Sequence, residues 1–266
     1  SRTLRHRRTL SQDLRLSSLP DGVWSWLAGA WLLQLDESNR VADDGRYLED
    51  AFVRELGSRY RAISVAAYGQ LEWRLSPETT IAAGLRLEQR DARYRDTDGI
   101  GFDPRDRMWG GELSLTRRLG GSQMLWATLS RGFRAGGFNI GTAVPAERQQ
   151  FGPEYLWSLE AGWKGANDAG TRAADVNVHY SRRGHQQVAT SFQLDPQDPL
   201  TFLFLTDNAA RGEAWGAEAT ARLKPARALE LEGMLSWMHS RYLDYRFGER
   251  DLDGREFAHA PEWKLA

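Results

Sequence analysis

The chain has 266 residues and a formal net charge of −1, with 35 Lys and Arg residues against 36 Asp and Glu residues. This balance argues against a nucleic-acid partner, because such proteins usually carry a basic excess. The absence of cysteine excludes disulfides, thiolate metal sites and a cysteine nucleophile. No run of eighteen apolar residues occurs, so the sequence predicts no transmembrane helix.

The main pattern of the sequence is a strict alternation of apolar residues with polar or small ones, and residues 154–165 show it most clearly. A period of two places successive side chains on opposite faces of a β-strand. We predict strands, in chain order, at 7–17, 23–35, 60–75, 79–95, 107–118, 123–135, 154–165, 171–187, 211–224 and 229–244. A further strand starts near Pro261 and is cut off at Ala266.

The central part of one face of these predicted strands carries no charge, and Arg117, Arg131 and Arg182 continue the same files just beyond it, where we expect an interface. In the eight strands from residue 59 onward, none of 37 positions in the apolar files is charged, whereas 12 of 34 positions in the opposite files are. A basic residue facing lipid at the bilayer midplane costs about 2–4 kcal/mol, and far less in a wet lumen. The pattern therefore predicts a transmembrane β-barrel. Strand 23–35 is apolar on both faces, so we expect its inner face to pack against something inside the barrel.

The predicted connections alternate between short and long. Short turns are expected at 19–22, 76–78, 119–122, 167–170 and 224–226, and long loops at about 36–59, 96–106, 136–153, 188–210 and 245–260. This rhythm predicts up-and-down antiparallel pairing. In bacterial barrels the short turns face the periplasm and the long loops face outside, so we expect that orientation in the outer membrane.

Aromatic residues near the strand ends are predicted to form girdles at the two membrane interfaces. The predicted girdle residues are Trp24, Trp73, Trp109, Tyr155, Trp163, Tyr180 and Trp237. The alternative is that these side chains form the core of a soluble β-sandwich. The alternating short and long connections favour the girdle.

Signals for metal binding and catalysis are weak. The acidic stretch Asp36, Glu37, Asp43, Asp44, Glu49 and Asp50 is interpreted as a solvated loop, with calcium binding as the alternative. His179 and His185 lack the clustering that a metal site needs. No nucleophile elbow occurs, and Gly99-Ile100-Gly101 is not followed by a helix. We therefore expect no cofactor, no resident metal and no enzymatic activity.

Several motifs carry a family resemblance in order along the chain. Leu125–Asn139 resembles the YxSRGFxxGGFN segment of TonB-dependent outer-membrane receptors, and Pro153–Lys164 resembles their E-x-x-x-x-x-E-x-G-x-K strand. Ser11–Ser18 resembles an earlier strand of the same receptors. Shorter matches follow at Gln186-Gln187-Val188, Asn208-Ala209-Ala210 and Gly216-Ala217-Glu218.

The resemblance implies a 22-stranded barrel closed by an N-terminal plug domain. Residues 1–266 would then be a partial, all-β segment of one barrel domain, with about ten or eleven strands and without the plug, the TonB box or the last strands. The absence of an initiator Met and of a signal peptide also predicts an internal piece. The implied partners are outer-membrane lipid, the plug, the missing strands and the TonB complex.

The resemblance implies uptake of a scarce nutrient, and we expect a ferric siderophore or a similar chelate as the small ligand. Ligand contacts should come from the long loops and the upper lumen, since loops carry function more often than the scaffold. The candidates are Arg134, Phe138, Asn139, Phe151 and Asn208. A passive porin and a barrel enzyme remain the alternative functions.

Overall fold

The computed structural model describes residues 2–20, 22–47, 50–141, 143–193, 197, 202–247 and 250–266. Most of these residues lie in β-strands, and one 3₁₀ turn covers Ala146–Arg148. The strands are β1 Arg2–Ser17, β2 Trp24–Tyr47, β3 Asp50–Arg74, β4 Thr79–Asp96, β5 Gly101–Phe102, β6 Arg105–Arg118, β7 Gln123–Arg134, β8 Gly137–Phe138, β9 Gln150–Phe151, β10 Glu154–Ala166, β11 Arg172–Gln193, β12 Phe202–Ala226, β13 Leu229–Phe247, β14 Arg250–Asp251 and β15 Trp263–Leu265. The described residues include no helix of the length and apolarity that crossing a membrane requires.

The long strands form one sheet in chain order, β1-β2-β3-β4-β6-β7-β10-β11-β12-β13, with the short β5, β14 and β15 attached to it. Each neighbouring pair is antiparallel. β8 and β9 form a separate small ladder. The predicted up-and-down arrangement of ten long strands and one short final strand is therefore confirmed.

The sheet is an open segment of a barrel wall. Among the described residues β1 pairs only with β2, and no pairing joins it to β13 or β15 at the other end. All sixteen residues of β1 are exposed. Both edges therefore present unpaired backbone N–H and C=O groups.

Two of the predicted long loops, 36–59 and 188–210, are wrong because much of their length is strand, whereas 245–260 holds only the end of β13 and the two-residue β14. β2 continues to Tyr47 and β3 begins at Asp50, so 36–59 is mainly a long hairpin. β11 extends to Gln193 and β12 begins at Phe202, and β13 continues to Phe247. Where both faces of a strand meet water, no apolar file marks the strand in the sequence.

The register aligns the apolar files of neighbouring strands into continuous rows. One row passes from Trp24 through Trp73, Ile81, Leu115, Ala127, Ala161, Val178, Ala217 and Trp237 to Trp263. None of these residues is charged, and Val178 is 54% exposed. The buried positions Ala62, Ala66 and Ala92 belong to the opposite face. We call the uncharged face outward and the opposite face inward.

A lipid-soluble photoreactive probe should label the outward face alone. We expect Trp157, Val176 and Leu231 of the full-length protein in a bilayer to be labelled, because they lie in the outward files. Glu160, Asn177 and Glu232 lie on the inward face and should stay unlabelled. Peptide mapping by mass spectrometry measures the difference. The reverse pattern would mean that the wall has been assigned inside out.

Candidate functional site

The predicted girdle aromatics form two groups along the strands. Trp24, Trp73 and Trp163 lie within three residues of the short-turn end of their strands, and the rings of Trp24 and Trp73 stack at 4.9 Å. The other predicted girdle residues lie eight or more residues from that end, namely Trp109, Tyr155, Tyr180 and Trp237. A tilted strand crosses a bilayer in about nine to eleven residues. That the two groups lie at the two interfaces stays a prediction.

Arg131 lies at the end of the outward apolar files that is farther from the short turns, and three aromatic rings surround it. Its guanidinium lies 3.9 Å from the Trp109 ring centroid and 4.0 Å from that of Tyr155, and it donates to the Trp109 carbonyl. Aromatic faces attract a cation, more strongly where water is scarce. This environment accounts for an arginine in a file that is otherwise uncharged.

The inward face carries a network of paired charges. The Tyr68 hydroxyl donates to Asp13 at 2.6 Å and accepts from Arg15 at 3.0 Å. Arg86 donates to Glu88 at 2.6 Å, and its guanidinium lies 4.9 Å from the Trp31 ring. The inner face of β2 thus packs in part against side chains of the wall itself.

Residues 135–141 and 143–153 fold over the inward face instead of projecting away from it. The carbonyl of Gly136 accepts a hydrogen bond from Arg90 of β4 at 2.9 Å. The Phe138 ring packs against Tyr94 at 4.8 Å and Phe102 at 5.0 Å. The same residues also contact β12, which lies towards the other end of the sheet. We call residues 135–141 and 143–153 the crossing segment.

Two of the predicted ligand residues anchor the crossing segment. Asn139 is buried, its side-chain amide donates to the carbonyls of Arg148 and Thr206 at 2.6 and 2.8 Å, and its amide oxygen accepts from the Thr206 N–H at 2.8 Å. Asn208 binds both backbone groups of Gly152 and also donates to the His185 carbonyl. These contacts show positioning roles for both asparagines.

The other predicted ligand residues lie near this anchor. Arg134 is exposed at the end of β7, opposite Glu154 of β10. Phe138 and Phe151 lie in the paired strands β8 and β9, and the Phe151 ring lies on the backbone of Gly137. Contact of any of the five residues with a substrate stays a prediction.

The aromatic and charged cluster beneath Phe138 was not predicted. It comprises Tyr60, Arg90, Tyr94, Phe102 and Asp106. Arg90 lies 3.7 Å from the carboxylate of Asp106. The sequence around residues 90–96 alternates charges without an apolar file, so no pattern pointed to a buried cluster there.

Burial and neighbouring groups shift the pKa values of several ionisable side chains near the crossing segment. Burial raises the pKa of the Asp106 carboxyl, and the Arg90 charge opposes that rise. Burial and a hydrogen bond to Asp96 raise the pKa of Tyr94 to about 12. The hydrogen bond from Arg95 lowers the pKa of the exposed Asp103, and Arg93 adds to the effect. In the cluster beneath Phe138, Tyr94 therefore stays uncharged beside the ion pair between Arg90 and Asp106.

The acidic stretch proposed as a loop begins inside a strand. Asp36 and Glu37 belong to β2, where Asp36 lies 3.5 Å from Arg61 and Glu37 accepts from Arg7 at 2.6 Å. The placement of Asp36 and Glu37 in a loop was therefore wrong. The side chains of Asp43, Asp44, Glu49 and Asp50 lie outside the described residues. Within the described part of the chain no three His, Asp or Glu side chains come together as a metal site.

Comparison with known proteins finds one family model, TonB dependent receptor-like β-barrel, which matches residues 2–266. The ferric yersiniabactin uptake receptor FyuA from Yersinia pestis has a TM-score of 0.77 at 17% identity, covering 99% of this chain and 39% of that chain. The copper transporter OprC has a TM-score of 0.73 at 14% identity, covering 91% of this chain and 39% of that chain. The siderophore receptor PiuA from Acinetobacter baumannii has a TM-score of 0.71 at 12% identity, covering 99% of this chain and 43% of that chain. The chain thus spans about two-fifths of these solved structures.

Proposed function

Because this chain belongs to the TonB-dependent receptor β-barrel family, whose members are outer-membrane proteins, we propose that it forms part of a receptor for TonB-driven uptake of a ferric siderophore or a similar chelate. The observation that carries the proposal is the match of the family model to residues 2–266, on a wall that has an uncharged outward row from Trp24 to Trp263. FyuA and PiuA, with which the chain shares its fold, are receptors for siderophores.

The rest of the barrel is proposed to pair at the two open edges. Each backbone group left unpaired in hydrocarbon costs several kcal/mol, so β1 and the β13–β15 edge require neighbouring strands in a membrane. About eleven further strands would complete a 22-stranded barrel, and a plug domain would fill it. The hairpins that join β2 to β3 and β11 to β12 would then project outside the cell, and the short turns would face the periplasm.

The substrate is proposed to approach from the side of the crossing segment. This segment narrows the inward face between β4 and β12, so a ligand that enters from the hairpin side meets it first. Arg134 is exposed there and offers a fixed positive charge to an anionic chelate. Asn139 and Asn208 would act by holding the segment in place.

Uptake and conductance together test the proposal against a porin. Cells that produce the full-length receptor should accumulate radiolabelled ferric siderophore only when TonB is present. The purified receptor should be nearly silent in planar bilayers, because the plug and the crossing segment obstruct the lumen. Uptake that persists without TonB, together with an open and ion-selective conductance, would establish the porin instead.

A further inference from the structure

The crossing segment leaves and rejoins the barrel wall at two glycines that lie side by side. Gly137 pairs with Phe151 in the β8–β9 ladder, so the flanking Gly136 and Gly152 meet at the base of the segment. Gly136 is buried, and a Cβ atom added to it would lie 2.4 Å from the Phe151 carbonyl oxygen and 3.0 Å from the Gly152 carbonyl carbon. Only glycine therefore fits at position 136 in this arrangement. We call Gly136 and Gly152 the neck of the crossing segment.

A charged pair from two neighbouring strands grips both backbone groups of Gly136. Arg90 of β4 lies opposite Asp106 of β6 in the ladder, and their charged groups are 3.7 Å apart on the inward face. Arg90 donates to the Gly136 carbonyl at 2.9 Å, and the Asp106 carboxylate accepts a hydrogen bond from the Gly136 N–H. Hydrogen bonds with one charged partner are stronger than neutral ones. Each side chain of the pair thus makes one strong contact with the same glycine.

The Arg90–Asp106 pair is shielded from water. The two side chains are 21% and 8% exposed, and the Arg90 guanidinium also donates to the Tyr60 hydroxyl. Removing one partner of a buried ion pair leaves an uncompensated charge, which is strongly destabilising. The two residues can therefore hold Gly136 only as a unit.

The opposite side of the neck is held by uncharged amides. Asn208 accepts from the Gly152 N–H at 2.5 Å and donates to the Gly152 carbonyl at 2.9 Å. Gln187 donates to the same carbonyl at 3.1 Å and to the Ala135 carbonyl at 2.9 Å. Strands β4 and β6 thus hold one side of the neck with charges, and β11 and β12 hold the other side with amides.

We propose that Arg90 and Asp106 are positioning residues for substrate binding, because their grip on Gly136 keeps the crossing segment seated over the inward face before the substrate arrives. The inference rests on the proposed function, in which a ligand meets this segment first. The apparent dissociation constant of a ligand rises by the reciprocal of the fraction of protein in the competent state. A segment that leaves its seat would therefore weaken binding, whereas saturating substrate would restore the seated state.

The test measures uptake by cells that produce the full-length receptor, with the radiolabelled ferric chelate that wild-type cells accept from a panel of catecholates, hydroxamates and carboxylates. In Arg90→Gln the concentration for half-maximal uptake should rise at least tenfold. The maximal TonB-dependent rate per receptor should stay within about twofold of the wild type, because saturating substrate restores the seated state. A merely structural defect would lower the maximal rate through loss of receptor and leave half-saturation unchanged.

Asp106→Asn separates positioning from direct contact between Arg90 and an anionic substrate. If Arg90 bound the substrate itself, removal of the competing carboxylate would strengthen binding. Positioning predicts weaker binding, because the neutral amide no longer balances Arg90 and the grip on Gly136 loosens. The double variant of Arg90→Gln and Asp106→Asn should be no worse than the poorer single variant, since both side chains act on one glycine. Stronger uptake by Asp106→Asn would overturn the proposal.

Hydrogen exchange of the purified, substrate-free receptor in detergent tests the grip without transport. Amides of the crossing segment should exchange at least tenfold faster in Arg90→Gln, while those of the strand ladders should be unchanged. Gly136→Ala should have the same effect on exchange and on half-saturation, because its methyl group has no room beside the Phe151 carbonyl. A residue that only contacted the substrate would not change exchange in the free receptor.

The controls are the adjacent charged pair on the same two strands and a glycine with open space. Asp91 and Arg105 lie opposite each other, 3.4 Å apart, but face outward, so Asp91→Asn with Arg105→Gln should leave uptake and exchange unchanged. Gly132→Ala adds a methyl group where nothing lies within 4 Å and should also be neutral.

Two outcomes separate this proposal from the proposed function. Unchanged half-saturation and exchange in Arg90→Gln, or equal effects in the controls, would overturn the positioning role while leaving transport intact. Failure of the wild type to take up any of the ferric chelates would reject the transport proposal, and the exchange measurement would still decide whether the Arg90–Asp106 pair holds the segment.

Discussion

Replacing Leu159 with arginine should destabilise the assembled barrel by about 2–4 kcal/mol, the cost of a basic residue facing lipid near the bilayer midplane. Leu159 is 52% exposed and pairs with Leu129 and Tyr180 in an outward row. On β10 it lies midway between Trp163 and Tyr155, which belong to the two aromatic groups. An arginine there would therefore place its charge in the middle of the apolar file of β10, away from both of its aromatic ends.

Ser158→Arg is the matched control, because Ser158 is the preceding residue on the same strand and faces inward. It lies between Ser130 and Ser181 and donates to Glu160 at 3.1 Å, so an arginine there meets water and carboxylates. Unfolding of the full-length protein by urea in lipid bilayers measures the free energies. A larger cost for Ser158→Arg than for Leu159→Arg would show that lipid lies on the other face.

Asn139→Leu should lower substrate uptake by more than about tenfold, the factor that corresponds to 1.4 kcal/mol. Leucine has a similar size but no hydrogen-bonding atoms, so the Thr206 N–H, the Thr206 carbonyl and the Arg148 carbonyl each lose the hydrogen bond to Asn139. Each buried group left unsatisfied costs about 1–3 kcal/mol. The crossing segment should lose its attachment to β12 at residue 139, although Asn208 still holds Gly152, while the strand ladders of the barrel stay intact.

Limited proteolysis within 139–150 and uptake of ferric siderophore measure this effect. Asn167→Leu is the control, because Asn167 also makes two side-chain hydrogen bonds, to Thr171 and to the Arg172 N–H, but in a short turn. Uptake and protease resistance of the crossing segment should be unchanged in that variant. Normal uptake in Asn139→Leu would show that the anchor is dispensable for transport.

The sequence predicted the transmembrane wall well because lipid constrains every second residue there. The predicted strands 79–95, 107–118, 123–135 and 154–165 agree with the structure to within two residues at each end. The family resemblance, based on motifs such as Leu125–Asn139, is confirmed by the match over residues 2–266. Both successes depend on patterns that are local in the chain.

The same patterns stop where the apolar files end, and the errors begin there. Residues 36–47 were predicted as loop, although they pair with β1 and β3, because strands surrounded by water need no apolar file. At the candidate site the sequence pointed to Asn139 but not to its partners. Asn139 was predicted as a ligand residue because it is polar and lies in a loop; the structure shows that its side-chain amide bonds to Arg148 and Thr206, and contact with a ligand stays a prediction.

The sequence by itself determined which residues form the wall, which face meets lipid and which family the chain belongs to, since these follow from a period of two and from short motifs. Only the tertiary structure decided that residues 135–141 and 143–153 cross the inward face and that Asn139 meets Thr206, 67 positions later in the chain. It also decided that Arg90 and Asp106, from neighbouring strands, meet at Gly136 of the crossing segment. These juxtapositions depend on the register between strands, which alternation alone leaves open, because it specifies the face of each side chain and not its partner across the ladder.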